Sequence, residues 1–240
     1  MITIIFGANG FGKSSLMNFF LNESAFDVQR IRQGNREIEY LNERYNLSIP
    51  GYKHLTFCSE TSIFKKTFYS SRQNLVLEPG KLGIQDEAPE GVECQFIPPC
   101  ATLGIDEAQT WFSSREGHVQ NYQASFFAKH RHNNLDIYLT TPRAIDIDKR
   151  IRALSSGIYV KDKKVNFYDN GKVKIEWYVD LIDVCMIDKY LEAGPKEIKY
   201  FSNERVIRCN YNVFDIYDSR SCQDDFIIGY KNYYPKYKEI

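Results

Sequence analysis

The apolar residues of this chain fall into short runs and spaced sets, and their period sorts them into strands and helices. Met1-Ile2-Thr3-Ile4-Ile5-Phe6 is an apolar run that stops at a cluster of glycines and reads as a buried strand. Leu16, Phe19 and Phe20 follow at i, i+3 and i+4, the spacing of a helix with one buried face. Val28, Ile31, Ile38, Leu41 and Tyr45, with charges between them, predict a second amphipathic helix, weakened by Gly34 and ended by Pro50-Gly51. Leu55-Thr56-Phe57-Cys58 and Asn74-Leu75-Val76-Leu77 are short strand candidates, and residues 85–93 read as an acidic loop. Cys100-Ala101-Thr102-Leu103-Gly104-Ile105 is continuously apolar, as a strand covered on both faces must be, and it ends on Asp106-Glu107. Val119, Tyr122, Phe126, Phe127 and His130 mark a helix, and residues 135–139 a further buried strand that closes on Thr140-Thr141. Residues 146–154 predict a short helix, and Ser156-Gly157-Ile158-Tyr159-Val160 another strand. Strands alternating with helices over this span predict an α/β fold with a mainly parallel sheet and helices on both faces.

The period changes after about Lys164. Residues 165–168 and 172–179 flank Asp169-Asn170-Gly171, and Asn-Gly is a strong hairpin signal. Val173, Ile175 and Trp177 alternate there with Lys172, Lys174 and Glu176, giving one dry face and one wet one. A short helix over residues 183–191 and one or two strands over 205–216 follow. The expected organisation is a core, residues 1–164, and a small β-rich C-terminal extension, residues 165–240, packed on it.

Composition narrows the partners. Lysine plus arginine and aspartate plus glutamate both number 31, so no global positive field draws the chain to nucleic acid or acidic lipid. No stretch reaches the ~18 uninterrupted apolar residues of a membrane span. The apolar N-terminus has no basic flank and reads as a strand rather than a signal peptide. Cys58, Cys94, Cys100, Cys185, Cys209 and Cys222 form no C-x-x-C pair, which argues against a zinc site or disulfide framework and fits a reducing cytoplasm.

The candidate chemistry begins at the first strand's end. Gly7-Ala8-Asn9-Gly10-Phe11-Gly12-Lys13-Ser14 is G-x-x-x-x-G-K-[ST], the phosphate-binding loop. Gly7 and Gly12 allow the backbone a tight turn and a close approach, Gly10 fits the same loop, and successive N–H groups converge on a phosphate at the start of the next helix. Lys13 is placed to reach the β- and γ-phosphates and Ser14 to complete a Mg²⁺ shell, while an ordinary glycine-rich turn is the bland alternative. Asp106 at the end of an apolar strand suits the same magnesium ion, and Glu107 suits activation of the attacking water. Alone, that acidic pair reads equally as a helix cap. Thr140 is a candidate sensor of the γ-phosphate. Of Arg143, Arg150 and Arg152, Arg152 is the first candidate for an arginine presented across a subunit boundary. His130-Arg131-His132 lacks a third metal ligand and suggests an interface contact, a nucleotide sensor or a polar helix end. The tail, residues 230–240, carries lysines and tyrosines able to stack on bases, or is simply solvated.

The run Ile105-Asp106-Glu107-Ala108-Gln109-Thr110-Trp111-Phe112-Ser113-Ser114-Arg115 resembles the second nucleotide motif of the zonular occludens toxin (Zot) family. Phe126-Phe127-Ala128-Lys129-His130-Arg131-His132, Asp136-Ile137-Tyr138-Leu139-Thr140, Ile147-Asp148-Lys149-Arg150-Ile151-Arg152 and the late Phe214-Asp215-Ile216-Tyr217-Asp218-Ser219 are similar to it as well. The resemblance implies a RecA-like P-loop ATPase of the FtsK/HerA kind, related to the filamentous-phage gene I protein. It implies a ring oligomer, six subunits being the expected number, at the cytoplasmic face of the host inner membrane. There it would drive virion assembly and extrusion, moving phage DNA or coat protein with membrane proteins of the assembly machinery as partners. By that likeness Gly7, Ala8, Asn9, Gly10, Phe11, Gly12, Lys13, Ser14 and Ser15 bind ATP, Asp106 holds Mg²⁺ and Glu107 is the catalytic base. A packaging or transfer ATPase acting on single-stranded DNA, and a nucleotide-gated interaction module with little turnover, are the other readings. Thr141 stands where the family usually has glutamine. The transmembrane helix that usually follows the ATPase domain is absent from these 240 residues, so the resemblance leaves open membrane contact through a partner, a soluble member of the family, or a fragment of a longer chain. The toxin activity that named the family belongs to a part beyond that helix and is not implied.

Overall fold

Strand β1 (Ile2–Phe6), buried along its whole length, runs through the middle of the sheet. The computed structural model describes residues 1–25, 27–45, 51, 56–59, 99–110, 112–114, 119, 121–168 and 172–210. The strand candidate at residues 74–77, the acidic loop at 85–93, the Asn170-Gly171 turn and the tail at 230–240 lie outside the described residues. After β1 come helices α1 (Lys13–Ala25) and α2 (Val28–Tyr45), then β2 (Thr56–Ser59) and β3 (Thr102–Ile105). Helix α3 (Asn121–Lys129) passes through a 3₁₀ turn at His130–Asn133 into β4 (Asp136–Thr141). Helix α4 (Lys149–Arg152), β5 (Ser156–Phe167), β6 (Val173–Ile182), α5 (Ile187–Glu192) and β7 (Ser202–Cys209) complete the order.

The strands form one seven-stranded sheet in the order β2-β3-β4-β1-β5-β6-β7. From β2 to β5 every pairing is parallel, whereas β5-β6 and β6-β7 are antiparallel. The chain thus has an α/β P-loop fold with a mixed sheet flanked by helices. Parallel strands β1, β3 and β4 bring their C-terminal ends to one edge of the sheet, and β5 runs past the same edge. Ligands gather at that edge in open α/β sheets, because the loops leaving it are free to vary while the strands hold them. Among the described residues, no helix is long and apolar enough to cross a membrane.

Two boundaries differ from the sequence expectation. The strand starting at Ser156 does not stop at Val160 but continues to Phe167, so the expected border at Lys164 falls inside β5. Charge hid this: Lys161-Asp162-Lys163-Lys164 breaks the apolar run, yet side chains there still alternate between half-buried and exposed, as an edge-facing strand requires. The helix expected over 146–154 is a 3₁₀ turn at Ala144–Asp146 and the short α4. Asp148 explains the break, since its carboxylate accepts the Arg150 backbone N–H at 2.8 Å and caps a new helix start.

The opposite edge of the sheet is pinned by Arg30. Its guanidinium donates to the carbonyls of Cys100 (2.9 Å), Ala101 (3.2 Å) and Asn134 (3.1 Å) and pairs with the Asp136 carboxylate. The same carboxylate takes the Met1 ammonium at 2.7 Å. Helix α2 is thereby tied to the starts of β1, β3 and β4. Helix α1 packs directly on β3, and Gly104 makes this possible. A Cβ on Gly104 would lie 2.6 Å from Leu21 Cδ1 and 3.1 Å from Met17 Sδ, both in the core. Gly104→Val should therefore push α1 off the sheet and cost about 1–3 kcal/mol in urea-monitored unfolding, with an unchanged slope against denaturant.

Candidate functional site

The glycine loop wraps its own lysine. Lys13 is buried, and its ammonium donates to the carbonyls of Gly7 (3.0 Å) and Ala8 (3.2 Å) and to Asn9 Oδ1 at 3.4 Å. Burial pushes this ammonium below the ordinary lysine range, while the carboxylates of Glu107 and Asp106 act in the opposite direction. The backbone has a positive φ at Gly10 (86°) and Gly12 (82°), the left-handed region that side chains other than glycine resist. Gly7 meets a different constraint, since a Cβ there would lie 2.5 Å from the Val160 carbonyl oxygen of β5. Gly7 N–H also donates to the Pro142 carbonyl at 3.3 Å, anchoring the loop to the end of β4. The first helical bond of α1 runs from Leu16 N–H to Gly12 O at 2.9 Å, so the N–H groups before it form the positive end of the helix. Ala8 and Gly10 are exposed, Phe11 packs against the core and Ser15 Oγ is turned to the Gly12 carbonyl at 2.9 Å.

The acidic pair meets this loop. Ser14 Oγ donates to Asp106 Oδ1 at 3.0 Å, across 92 positions of sequence. Thr140 donates its hydroxyl to the same Asp106 oxygen and accepts the Glu107 backbone N–H at 3.1 Å. Asp106 is buried, whereas Glu107 is exposed. Glu107 sits at φ 49°, and its carboxylate accepts from the Gln109 side-chain amide. A left-handed glutamate costs about 1 kcal/mol against an extended one, and the turn it makes lifts its carboxylate clear of the buried aspartate. Thr141, one residue on, is buried and donates to the Arg143 carbonyl at 3.1 Å. Thr140 is therefore the threonine that belongs to the site.

The donor set suits magnesium. Ser14 and Asp106 supply two hard oxygens, and no cluster of three or more metal-binding side chains occurs among the described residues. Mg²⁺ is commonly held that way, through one or two protein oxygens with phosphate and water completing its octahedron. Such an ion would supply charge neutralisation between β- and γ-phosphate oxygens.

Other candidates lie elsewhere. Arg152 is buried, donates to Asp188 Oδ1 at 2.7 Å and to Ile145 O at 3.1 Å, and also bonds the Ile147 carbonyl. It staples α4 to α5 within the chain, so this guanidinium is engaged in an ion pair there. Sequence reading missed this because periodicity does not tell an arginine on the outer face of a long helix from one beneath a single turn. His130-Arg131-His132 precedes β4 and so lies at the edge of the sheet away from this chain's own glycine loop. His130 is buried against the end of α3, its Nδ1 at 2.6 Å from the Phe127 carbonyl oxygen, while His132 is exposed. Gln109, overlooked in the sequence, positions the Glu107 carboxylate, and its signal was the i, i+2 spacing within the motif.

Two expectations follow. Arg152→Ala should lower stability by about 2–3 kcal/mol, because it orphans buried carbonyls and a half-exposed carboxylate, and thermal melting measures it. Burial depresses His130's pKa, with the Phe127 bond opposing, so folding favours its neutral form. That stabilisation is complete above the ordinary histidine value and is lost as pH falls through it, because the unfolded chain then takes up the proton more readily. Melting temperature should drop between about pH 7.5 and 5.5, and the drop should shrink in His130→Gln.

Comparison with known proteins bears on the family and the fold. A family model described as Zonular occludens toxin (Zot) matches residues 61–222. Among solved structures, the chain is similar to the N-terminal domain of zonular occludens toxin from Neisseria meningitidis, with a TM-score of 0.50 at 16% identity over 90% of this chain and 98% of that one. It is also similar, at a TM-score of 0.38 and 12% identity over 85% of this chain and 94% of that one, to the genome packaging NTPase B204 from Sulfolobus turreted icosahedral virus 2. Segments of EssC (ATPases 2 and 3) from Geobacillus thermodenitrificans align at a TM-score of 0.37 and 10% identity, over 99% of this chain and 44% of that one. No curated protein matches the sequence. With the family model covering more than half of its length, the chain belongs to the zonular occludens toxin (Zot) family.

Proposed function

We propose that this protein is a magnesium-dependent ATPase that acts as an assembly motor for a filamentous phage, at the cytoplasmic face of the host inner membrane. The observation that carries the ATPase reading is the 3.0 Å bond between Ser14 Oγ and Asp106 Oδ1. A glycine loop and an acidic strand end meet there, where a magnesium-bound triphosphate needs both. In this reading the loop N–H groups and Lys13 hold the phosphates, and Ser14 and Asp106 hold the metal. Thr140 fixes the orientation of Asp106, and Glu107 takes the proton of the attacking water. Lys13 exchanges its bonds to the loop carbonyls for phosphate oxygens, which restores the charge that burial disfavours.

The assembly role rests on family membership, and its substrate would be virion DNA or coat protein moved by a ring of subunits. With Arg152 buried in its pair with Asp188, Arg143 is the more exposed candidate for a neighbour's γ-phosphate. It follows Pro142 at the nucleotide edge, and its side chain is 60% exposed and pairs with Asp146 at 2.9 Å. The border between residues 1–164 and 165–240 is functional in this account rather than architectural, with the later strands serving the rim of the ring.

Glu107→Gln should leave ATP affinity within about twofold and reduce steady-state turnover by ~100-fold or more, whereas Lys13→Ala should lose affinity itself. Equal idleness of wild type and Glu107→Gln would favour a nucleotide-gated binding module instead. Specific activity should rise with protein concentration, in step with particle size by light scattering in ATP and Mg²⁺. A constant specific activity from a monomer would remove the ring.

A further inference from the structure

The glycine loop is bounded on two flanks, and only one carries the acidic pair. β1 lies between β4 and β5, and β3 with Asp106 lies beyond β4. On the other flank β5 and β6 rise past the loop, and there Lys163 and Trp177 are directly paired across the antiparallel ladder. Both press on Gly12. A Cβ at Gly12 would lie 2.6 Å from Lys163 Cδ, 3.0 Å from Trp177 Nε1 and 2.8 Å from Ser15 Oγ. Ser14 is bonded to the aspartate, whereas Ser15 turns back to the Gly12 carbonyl.

Trp177 supplies an independent sign that this flank is built for a ligand. The indole is fully buried and stacks obliquely on Phe19 at 5.7 Å, yet its Nε1–H has no hydrogen-bond partner. A buried donor without an acceptor is costly, and this one lies beside Gly12, at the turn where phosphate oxygens would sit. Lys163 stands beside it with its stem laid on the loop. Burial pushes its ammonium below the ordinary lysine range, a penalty that an adjacent anion reverses.

We propose that Lys163 is a second nucleotide-binding lysine, contacting the phosphate chain from the β5-β6 flank, at the end away from Asp106 and its metal. This rests on the nucleotide reading above and deepens it. The metal end holds the β- and γ-phosphates, so the opposite flank faces the α-phosphate and the nucleoside side of the chain. ADP and ATP share that end. Lys163 therefore sets affinity for both, whereas Asp106 acts on the metal-bound end.

The test is equilibrium binding of ATP and ADP, each with Mg²⁺, to the full chain and to Lys163→Ala, Lys163→Gln and Lys163→Arg. Charge-assisted bonds to phosphate lead to an expected loss of ~10-fold for both nucleotides in the alanine and glutamine variants, with most of it recovered by arginine. Melting of the nucleotide-free variants controls for folding. Because Trp111 and Trp177 are the chain's two tryptophans, Trp111→Phe leaves Trp177 as the reporter, and its emission should shift when ADP binds. Unchanged affinity in Lys163→Ala overturns the proposal. A loss confined to ATP does so too, since it moves the lysine to the γ-phosphate, and so does a silent Trp177. Failure of wild type to bind either nucleotide would instead sink the nucleotide reading, and the lysine's role with it.

Discussion

One buried carboxylate holds the arrangement together. Asp106 receives the hydroxyls of Ser14 and Thr140 and so joins three chain segments at one oxygen. β1 leads to the first, β3 carries the aspartate itself and β4 leads to the third. An ionised carboxylate accepts such bonds strongly, and in a site shielded from water each is worth more than on a surface. The geometry works only because the strands are parallel and in register, with Ile4 opposite Leu139 and Ile105 opposite Leu139 on the other side. A one-residue slip in either pairing would turn Asp106 or Thr140 to the wrong face.

The two edges of the sheet divide the labour. At the edge where the strands begin, Arg30, Asp136 and the Met1 ammonium form a closed network of charge and carbonyls. At the edge where they end, polar groups are arranged around the glycine loop and a positive helix start. Rigidity below and open chemistry above is what a site on a sheet requires, because loops move freely only when their roots do not.

Much of this was legible in the residues. The glycine loop needs glycine at Gly7 and Gly12 for reasons of backbone and space, and so its spacing betrays it. Asp106 and Thr140 were readable because each ends an apolar run, and strand ends in a parallel sheet gather at one edge. What depended on tertiary placement was not readable. Arg152 looked like a surface arginine, since nothing local shows that Asp188 and two carbonyls enclose it. The length of β5 was hidden because its charged half is stabilised by a neighbouring strand rather than by its own pattern. Trp177 read as one apolar position of an alternating strand, and its indole N–H acquires meaning only beside Gly12.

The left-handed backbone at Glu107 carries an evolutionary consequence. Asparagine and glycine tolerate that conformation far better than glutamate, so the side chain most comfortable at this turn lacks the carboxylate that the chemistry wants. Selection for thermal robustness alone would drift the position towards asparagine, giving a sturdier protein that lacks this carboxylate. In the proposed reading, a glutamate at this turn gives up backbone comfort for a carboxylate at the nucleotide edge.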